Sequence, residues 1–164
     1  MQFEQTLKSY SGLIGRIVRS YEADPAHQAD MMQDIAFALW KALPSLKEKQ
    51  AERAFVARVA QNRCVSHVAR QVREPGKAEL DPRMAFDGIS PEEGTDLARQ
   101  RDKLQASIRR LPLSLRQVVT LALEGFSYRE IAETLDISEN NAAVRFNRAK
   151  TELCQQLKAG ENHE

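Results

Sequence analysis

The chain has 164 residues, 42% hydrophobic and 29% charged, with a formal net charge of +1; this suffices for one packed domain or two small ones and excludes a disordered chain. No run approaches the roughly 18 apolar residues of a membrane span, and the amino terminus, with Glu4 and no long apolar core, does not read as a signal peptide, so the cytoplasm is the expected compartment. Cys64 and Cys154 lie far apart without a Cys-x-x-Cys pattern, which argues against a disulfide framework or a zinc knuckle.

Taken in chain order, the pattern is helical throughout. Leu7, Tyr10, Ile14, Ile17, Val18 and Tyr21 share one face of a first helix, and Asp24-Pro25 stops it and opens the next. In that second helix Met32, Ile35, Ala36, Leu39, Trp40 and Leu43 follow three-four spacing, while Asp30, Gln33, Asp34 and Lys41 point elsewhere. Pro44 ends it, and a polar loop over residues 45–50 leads to a third helix. There Phe55, Val56, Val59, Ala60, Cys64 and Val68 are expected inward and the arginines outward. A Cys64–His67 metal pair is one turn long, but two ligands do not make a site, and no metal or other cofactor is expected.

From residue 74 to 90 the periodicity gives way to Glu-Pro-Gly, Asp-Pro and Asp-Gly, which are turn and linker signals. Fully extended, such a segment reaches at most about 55–60 Å. It separates an expected first domain, 1–73, from a second, 91–158. Helix is expected to resume at Ser90-Pro91-Glu92-Glu93, a capping box with Pro in the first turn, and to carry Leu97, Leu104, Ile108 and Leu111 inward. After Pro112, Ser114 with Gln117 is the expected cap of a fifth helix bearing Leu115, Val118, Val119, Leu121 and Ala122.

The sharpest local signal follows. Ser127 and Glu130 form a capping box, Ile131, Ala132 and Leu135 make an apolar stripe, Asp136-Ile137 a tight connection, and Ser138 an N-cap. Ala142, Phe146, Ala149 and Leu153 then fall on one face of a last helix, leaving Asn140, Ala143, Val144, Asn147 and Arg148 on the other. This is a helix-turn-helix. Asn and Arg can make two-pronged contacts to adenine and guanine, and small apolar groups meet thymine methyls. The expected fold class is therefore all-α: two small helical domains joined by a flexible linker, the second containing a helix-turn-helix.

Charge is segregated despite the small net value. Residues 53–73 hold Arg53, Arg58, Arg63, Arg70 and Arg73 with no acid, and residues 99–116 are also basic. Glu22, Asp24, Asp30 and Asp34 form an acidic patch, and residues 79–96 are acidic. Two kinds of partner follow, a phosphate backbone and a basic protein surface. No nucleophile–base constellation, phosphate-cradling glycine loop or metal-ligand cluster is visible, so an enzyme is not expected.

Together the two halves resemble the bacterial sigma factors of the extracytoplasmic-function class, in the sigma-70 family. Residues 24–40, with Asp30, Gln33, Asp34 and Trp40, resemble the family's core-polymerase-binding helix. Phe55-Val56-Ala57-Arg58-Val59-Ala60-Gln61-Asn62 is similar to its helix that reads and opens the minus-ten element. Leu111-Pro112, Gln117-Val118-Val119, Tyr128-Arg129-Glu130-Ile131-Ala132 and Arg145-Phe146-Asn147-Arg148-Ala149-Lys150 are similar to its minus-thirty-five-binding domain.

The resemblance implies a promoter-specificity subunit whose partners are core RNA polymerase, promoter DNA and an anti-sigma factor, the last often membrane-anchored in the family. It implies polymerase contacts at Asp30, Gln33 and Asp34 with Trp40 buttressing them, and minus-ten contacts at Arg58, Asn62, Arg63, Ser66 and Arg70. The loop over residues 45–50 and Asn62 would form a pocket for one or two flipped bases. Minus-thirty-five contacts would come from Arg116, Arg129, Asn140, Ala143, Val144, Arg145, Asn147, Arg148 and Lys150. The chain departs from the family pattern at Phe55-Val56-Ala57, at Ser66, and at Asn140-Asn141-Ala142-Ala143-Val144, which shifts base reading toward Asn140, Asn147 and Arg148. The competing reading is a repressor or activator that uses the helix-turn-helix without being a polymerase subunit. A third, an adaptor acting without DNA, leaves the arginine-lined helix unexplained.

Overall fold

The computed structural model describes residues 2–73 and 95–162. The chain divides into two units, residues 1–85 and 86–164. Among the described residues there is no strand.

In the first unit α1 (Gln2–Arg19), α2 (Pro25–Ala42) and α3 (Glu52–Arg73) pack together. Asp24 caps α2 as expected, its carboxylate accepting from the Ala26 N–H, with Pro25 at the first helical position. Short 3-10 turns over Leu43–Ser45 and Lys49–Ala51 connect α2 to α3. Ile14, Ile17, Val18, Ile35, Leu39 and Val56 are fully buried. Each such side chain contributes about 1.5–3 kcal/mol relative to exposure.

Two helix faces are rotated from the sequence expectation. On α2 the buried residues are Met31, Ile35 and Leu39, continued by Leu43, while Trp40 is 58% exposed. On α3 Val56, Ala57, Ala60, Gln61 and Cys64 are buried, whereas Phe55, Val59 and Val68 are only partly so. On α3 the reason is polar burial. The Tyr21 hydroxyl bonds to Gln61 Oε1, and Thr6 Oγ1 donates to buried Glu52 at 2.9 Å. These pairings turn Gln61 and Glu52 inward, and an apolar count does not see them.

In the second unit α4 (Asp96–Arg109), α5 (Leu113–Leu123), α6 (Tyr128–Leu135) and α7 (Glu139–Asn162) surround a cluster of Ile108, Leu111, Leu115, Val119, Ala149 and Leu153, flanked by Leu104 and Phe146. The expected cap at residues 90–93 lies outside the described residues. The helix itself is capped by Thr95, whose hydroxyl accepts from the Ala98 N–H, and Leu97 beside that end is 70% exposed instead of inward. α5 also starts differently. Pro112 occupies the N-cap and Ser114 lies inside the helix, because the proline, at φ −53°, already sets the chain for the first turn.

The helix-turn-helix forms at the expected residues. Gly125, at φ 86°, ends α5, with its N–H on the Ala122 carbonyl and that of Phe126 on Leu121. The Glu130 N–H donates to Ser127 Oγ at 3.2 Å and the Ser127 N–H to Glu130 Oε1 at 3.0 Å, a closed capping box. Buried Phe126 and Ile131 occupy the positions of a hydrophobic staple across it. Asp136 takes the left-handed conformation at φ 57°, the Ile137 N–H reaches the Ala132 carbonyl, and Ser138 Oγ caps α7 through the Asn141 N–H. Ser127→Ala should destabilise α6 by about 1 kcal/mol, seen as faster amide exchange at Glu130 and Ile131 with the α1–α3 amides unchanged.

Candidate nucleic-acid and protein interfaces

Three exposed stripes emerge from these helices. On α2, Asp30, Gln33, Phe37, Trp40 and Lys41 are exposed, spaced along one side. Phe37 stacks on Trp40 at 6.1 Å between centroids, and the Lys41 ammonium lies 4.8 Å from the Phe37 centroid. Trp40 therefore belongs to the surface, not to the core. Phe37 carries no expected role in the sequence reading, yet it lies seven residues after Asp30, two helical turns along the same side.

On α3, Arg58, Asn62, Ser66 and Arg70 recur every four residues and are all exposed. Arg63 differs from the other four expected minus-ten residues. Its Nε donates to Asp34 Oδ2 at 2.7 Å and its Nη2 to Asp34 Oδ1 at 3.0 Å. Two residues expected to face different partners thus face each other. A cleft of about 430 Å³ opens beside the connection to α3, lined by Gln2, Gln5, Thr6, Ser9, Tyr10, Lys49 and Glu52. Lys49 of the 45–50 connection lines this cleft together with the first turns of α1, and Asn62 is not among its lining residues.

On α7, Asn140, Val144, Asn147 and Arg148 are exposed and Ala143 partly so, opposite buried Ala142, Ala149 and Leu153. Thr151 extends the same stripe. The basic side chains around it differ in their commitments. Lys150 is exposed; Arg145 is partly buried and its Nε donates to Asn141 Oδ1 at 3.1 Å. Arg129 pairs with Glu133 at 3.4 Å across one exposed turn of α6. Arg116 is directed inward instead: its Nη2 donates to the carbonyls of Arg109 at 2.7 Å and Leu111 at 3.0 Å, tying α5 to the end of α4.

Away from these stripes, Glu22 gathers donors from three elements. Its Oε1 lies 3.1 Å from His27 Nδ1 and from His67 Nε2, and 3.0 Å from the Gln71 side-chain nitrogen. Oε2 accepts the Ala23 N–H at 2.9 Å. Burial pushes this carboxyl up, but the hydrogen bonds from His67, Gln71 and the Asp24 and Ala23 amides together hold it below its ordinary value. His67 is thus engaged with Glu22, while the Cys64 thiol is buried and pushed up to about 12 by desolvation and by Asp34. Among the described residues no group of three or more His, Cys, Asp or Glu is arranged to hold a metal ion.

Residues 6–74 match the family model for sigma-70 region 2, and residues 101–153 that for sigma-70 region 4. The chain belongs to the sigma-70 family. It is 26% identical over 157 residues to the RNA polymerase sigma factor SigZ of Bacillus subtilis (strain 168), covering 95% of this chain and 83% of that one. Among solved structures, the sigma factor RpoE of Bartonella quintana, crystallised with the anti-sigma factor NepR, is similar with a TM-score of 0.74 and 19% identity over 96% of this chain and 97% of that one. CnrH, in complex with the cytosolic domain of CnrY, is similar with a TM-score of 0.67 and 21% identity over 96% and 88%. Region 2 thus contains α1–α3 and region 4 the helix-turn-helix, the order expected of the extracytoplasmic-function class, and the chain is an alternative sigma factor that directs transcription initiation.

Because Glu22 has a lowered folded-state value, its stabilisation is fully present above the ordinary carboxylate range and is lost as pH falls through the folded value. Glu22→Gln should therefore lower the thermal midpoint of region 2 at neutral pH. The gap from wild type should narrow as pH falls below the ordinary carboxylate range and close once the folded-state carboxyl is protonated, in a melting series followed by circular dichroism.

Proposed function

We propose that the exposed stripe of α2 docks on a basic surface of core RNA polymerase, while α3 captures the minus-ten strand and α7 reads the minus-thirty-five duplex. The observation that carries this reading is the matching of stripe chemistry to partner chemistry. α2 presents carboxylate, amide and aromatic groups through Asp30, Gln33, Phe37 and Trp40, a composition suited to a basic helical partner with an apolar centre. α3 presents Arg58, Asn62, Ser66 and Arg70, which supply phosphate and base-edge donors along one line. The cleft at Tyr10 and Lys49 offers an aromatic ring and an ammonium beside the same helix, and is the candidate receptor for an unstacked base.

On α7, Asn140, Asn147 and Arg148 are the base readers, Ala143 and Val144 the methyl contacts, and Arg145 and Lys150 the phosphate contacts. Arg129 is a secondary phosphate contact, and Arg116 supports the fold of region 4. The chain would act in the cytoplasm, where core polymerase and promoters are; no described helix is long and apolar enough to cross a membrane. A separate anti-sigma protein is the proposed regulator, supported by the complexes in which RpoE and CnrH were solved.

Run-off transcription over genomic fragments tests the reading: discrete promoter-specific transcripts should appear only when the chain and core polymerase are both present. Asp30→Ala and Gln33→Ala should weaken association with core. Asn147→Ala and Arg148→Ala should leave that association intact and lose about 1–3 kcal/mol each of minus-thirty-five discrimination, measured by base-substituted promoters. Tight binding of the free chain to a palindrome, with no association with core, would instead establish the repressor or activator reading.

A further inference from the structure

Asp34 and Arg63 stand on the seam between the α2 and α3 stripes. Asp34 lies one turn after Asp30 and next to Gln33; Arg63 follows Asn62 and precedes Ser66 and Arg70 by three and seven residues. Their contact is two-pronged, at 2.7 and 3.0 Å, so one edge of the guanidinium is matched to both carboxylate oxygens. Yet the side chains retain 39% (Arg63) and 34% (Asp34) of their exposure. A partner can reach either one without opening the core.

We propose that Asp34 and Arg63 form an exchangeable ion pair that couples polymerase docking to DNA capture. A basic side chain of the polymerase engages the Asp34 carboxylate, and Arg63 turns out onto the phosphate backbone beside Asn62. The inference rests on the sigma-factor reading and adds a mechanism to it. In the free chain Asp34 both compensates the Arg63 charge and fixes the direction of its guanidinium. A phosphate approaching α3 then meets a compensated pair and not a cation. Once a polymerase cation neutralises Asp34, the nearest anion of matching geometry for Arg63 is DNA phosphate. Linkage makes the effect reciprocal: DNA that draws Arg63 away leaves Asp34 available to the polymerase, so each partner strengthens the other. Arg63 is thus a conditional contact, silent until the second partner arrives.

The test is the salt dependence of binding to a fluorescent single-stranded oligonucleotide carrying the minus-ten sequence mapped by run-off transcription, measured for the free chain and for holoenzyme. R63Q should leave the free-chain slope unchanged and reduce the holoenzyme slope by about 0.7, one phosphate contact on a single strand. D34N should tighten free-chain binding beyond D30N, which removes the same charge without releasing a guanidinium. The double variant D34N/R63Q, which has the same net charge as wild type and no guanidinium to release, should return to the wild-type level. Circular dichroism melts check folding; if R63Q does not fold, R63K keeps the charge without the two-pronged geometry, and its free chain should bind DNA tighter than wild type. Equal R63Q effects on the two slopes, no effect on either, or a D34N gain no larger than that of D30N would overturn the exchange. Failure to associate with core would remove the sigma-factor reading and this inference together; a transcribing holoenzyme with an unchanged R63Q slope removes the inference alone.

Discussion

Each region depends on one long helix buried along one side and bare along another. α3 runs 22 residues and α7 runs 24, and in both the buried positions are largely small: Ala57, Ala60 and Cys64 in one, Ala142 and Ala149 in the other. Small residues let neighbouring helices approach closely, so on α3 the exposed side chains reduce mainly to one line, while α7 keeps a broader exposed face opposite Ala142, Ala149 and Leu153. Arg58, Asn62, Ser66 and Arg70 owe their alignment to Val56, Ala60 and Cys64 being held inward. A reader of nucleic acid built this way needs no dedicated scaffold, because the side chains that pack the core also set the orientation of those that face the ligand.

The buried polar bonds of region 2 serve the same end. Apolar stripes alone leave a helix able to rotate by a fraction of a turn at small cost, since one aliphatic contact substitutes for another. The Tyr21–Gln61 and Thr6–Glu52 hydrogen bonds, both buried, do not allow that substitution. They fix the rotation of α3 about its axis against α1. The Glu22 cluster does so again further along, joining the α1–α2 turn to His67 and Gln71. The position of the exposed stripe is therefore specified by polar pairing at several levels along the helix.

How much of this was legible in the sequence follows from the range of each interaction. The helix-turn-helix was readable almost residue by residue, because Ser127 with Glu130, Asp136 and Ser138 act on backbone groups no more than four positions away. The cap of α2 at Asp24-Pro25 was readable for the same reason. Rotation of α3 was not: Gln61 and Glu52 are polar residues whose partners, Tyr21 and Thr6, are 40 and 46 positions distant. The intramolecular partners of Arg63 and Arg116 were not legible either, because a cation on a helix carries no sign of which anion or carbonyl tertiary structure will bring to it. Trp40 satisfied the three-four spacing and still faces outward, since spacing locates a stripe only to within about one residue's rotation, 100°.

The cationic surface that results is smaller than the arginine tally suggested. Asp34 compensates Arg63, Glu133 pairs with Arg129, and backbone carbonyls hold Arg116. Arg58 and Arg70 on α3, and Arg148 and Lys150 on α7, remain as exposed cations on the proposed reading helices. Non-specific affinity for nucleic acid scales with the number of phosphates neutralised, so two short rows of this kind favour weak binding by either region alone. Weak separate grips suit a subunit that must leave non-promoter DNA quickly: affinity is then gained by linking the grips through a common partner, which makes the second contact effectively intramolecular. The near-zero net charge is thus compatible with a DNA-binding role, because discrimination rests on Asn62, Asn140, Asn147 and Arg148 and not on bulk attraction to the backbone.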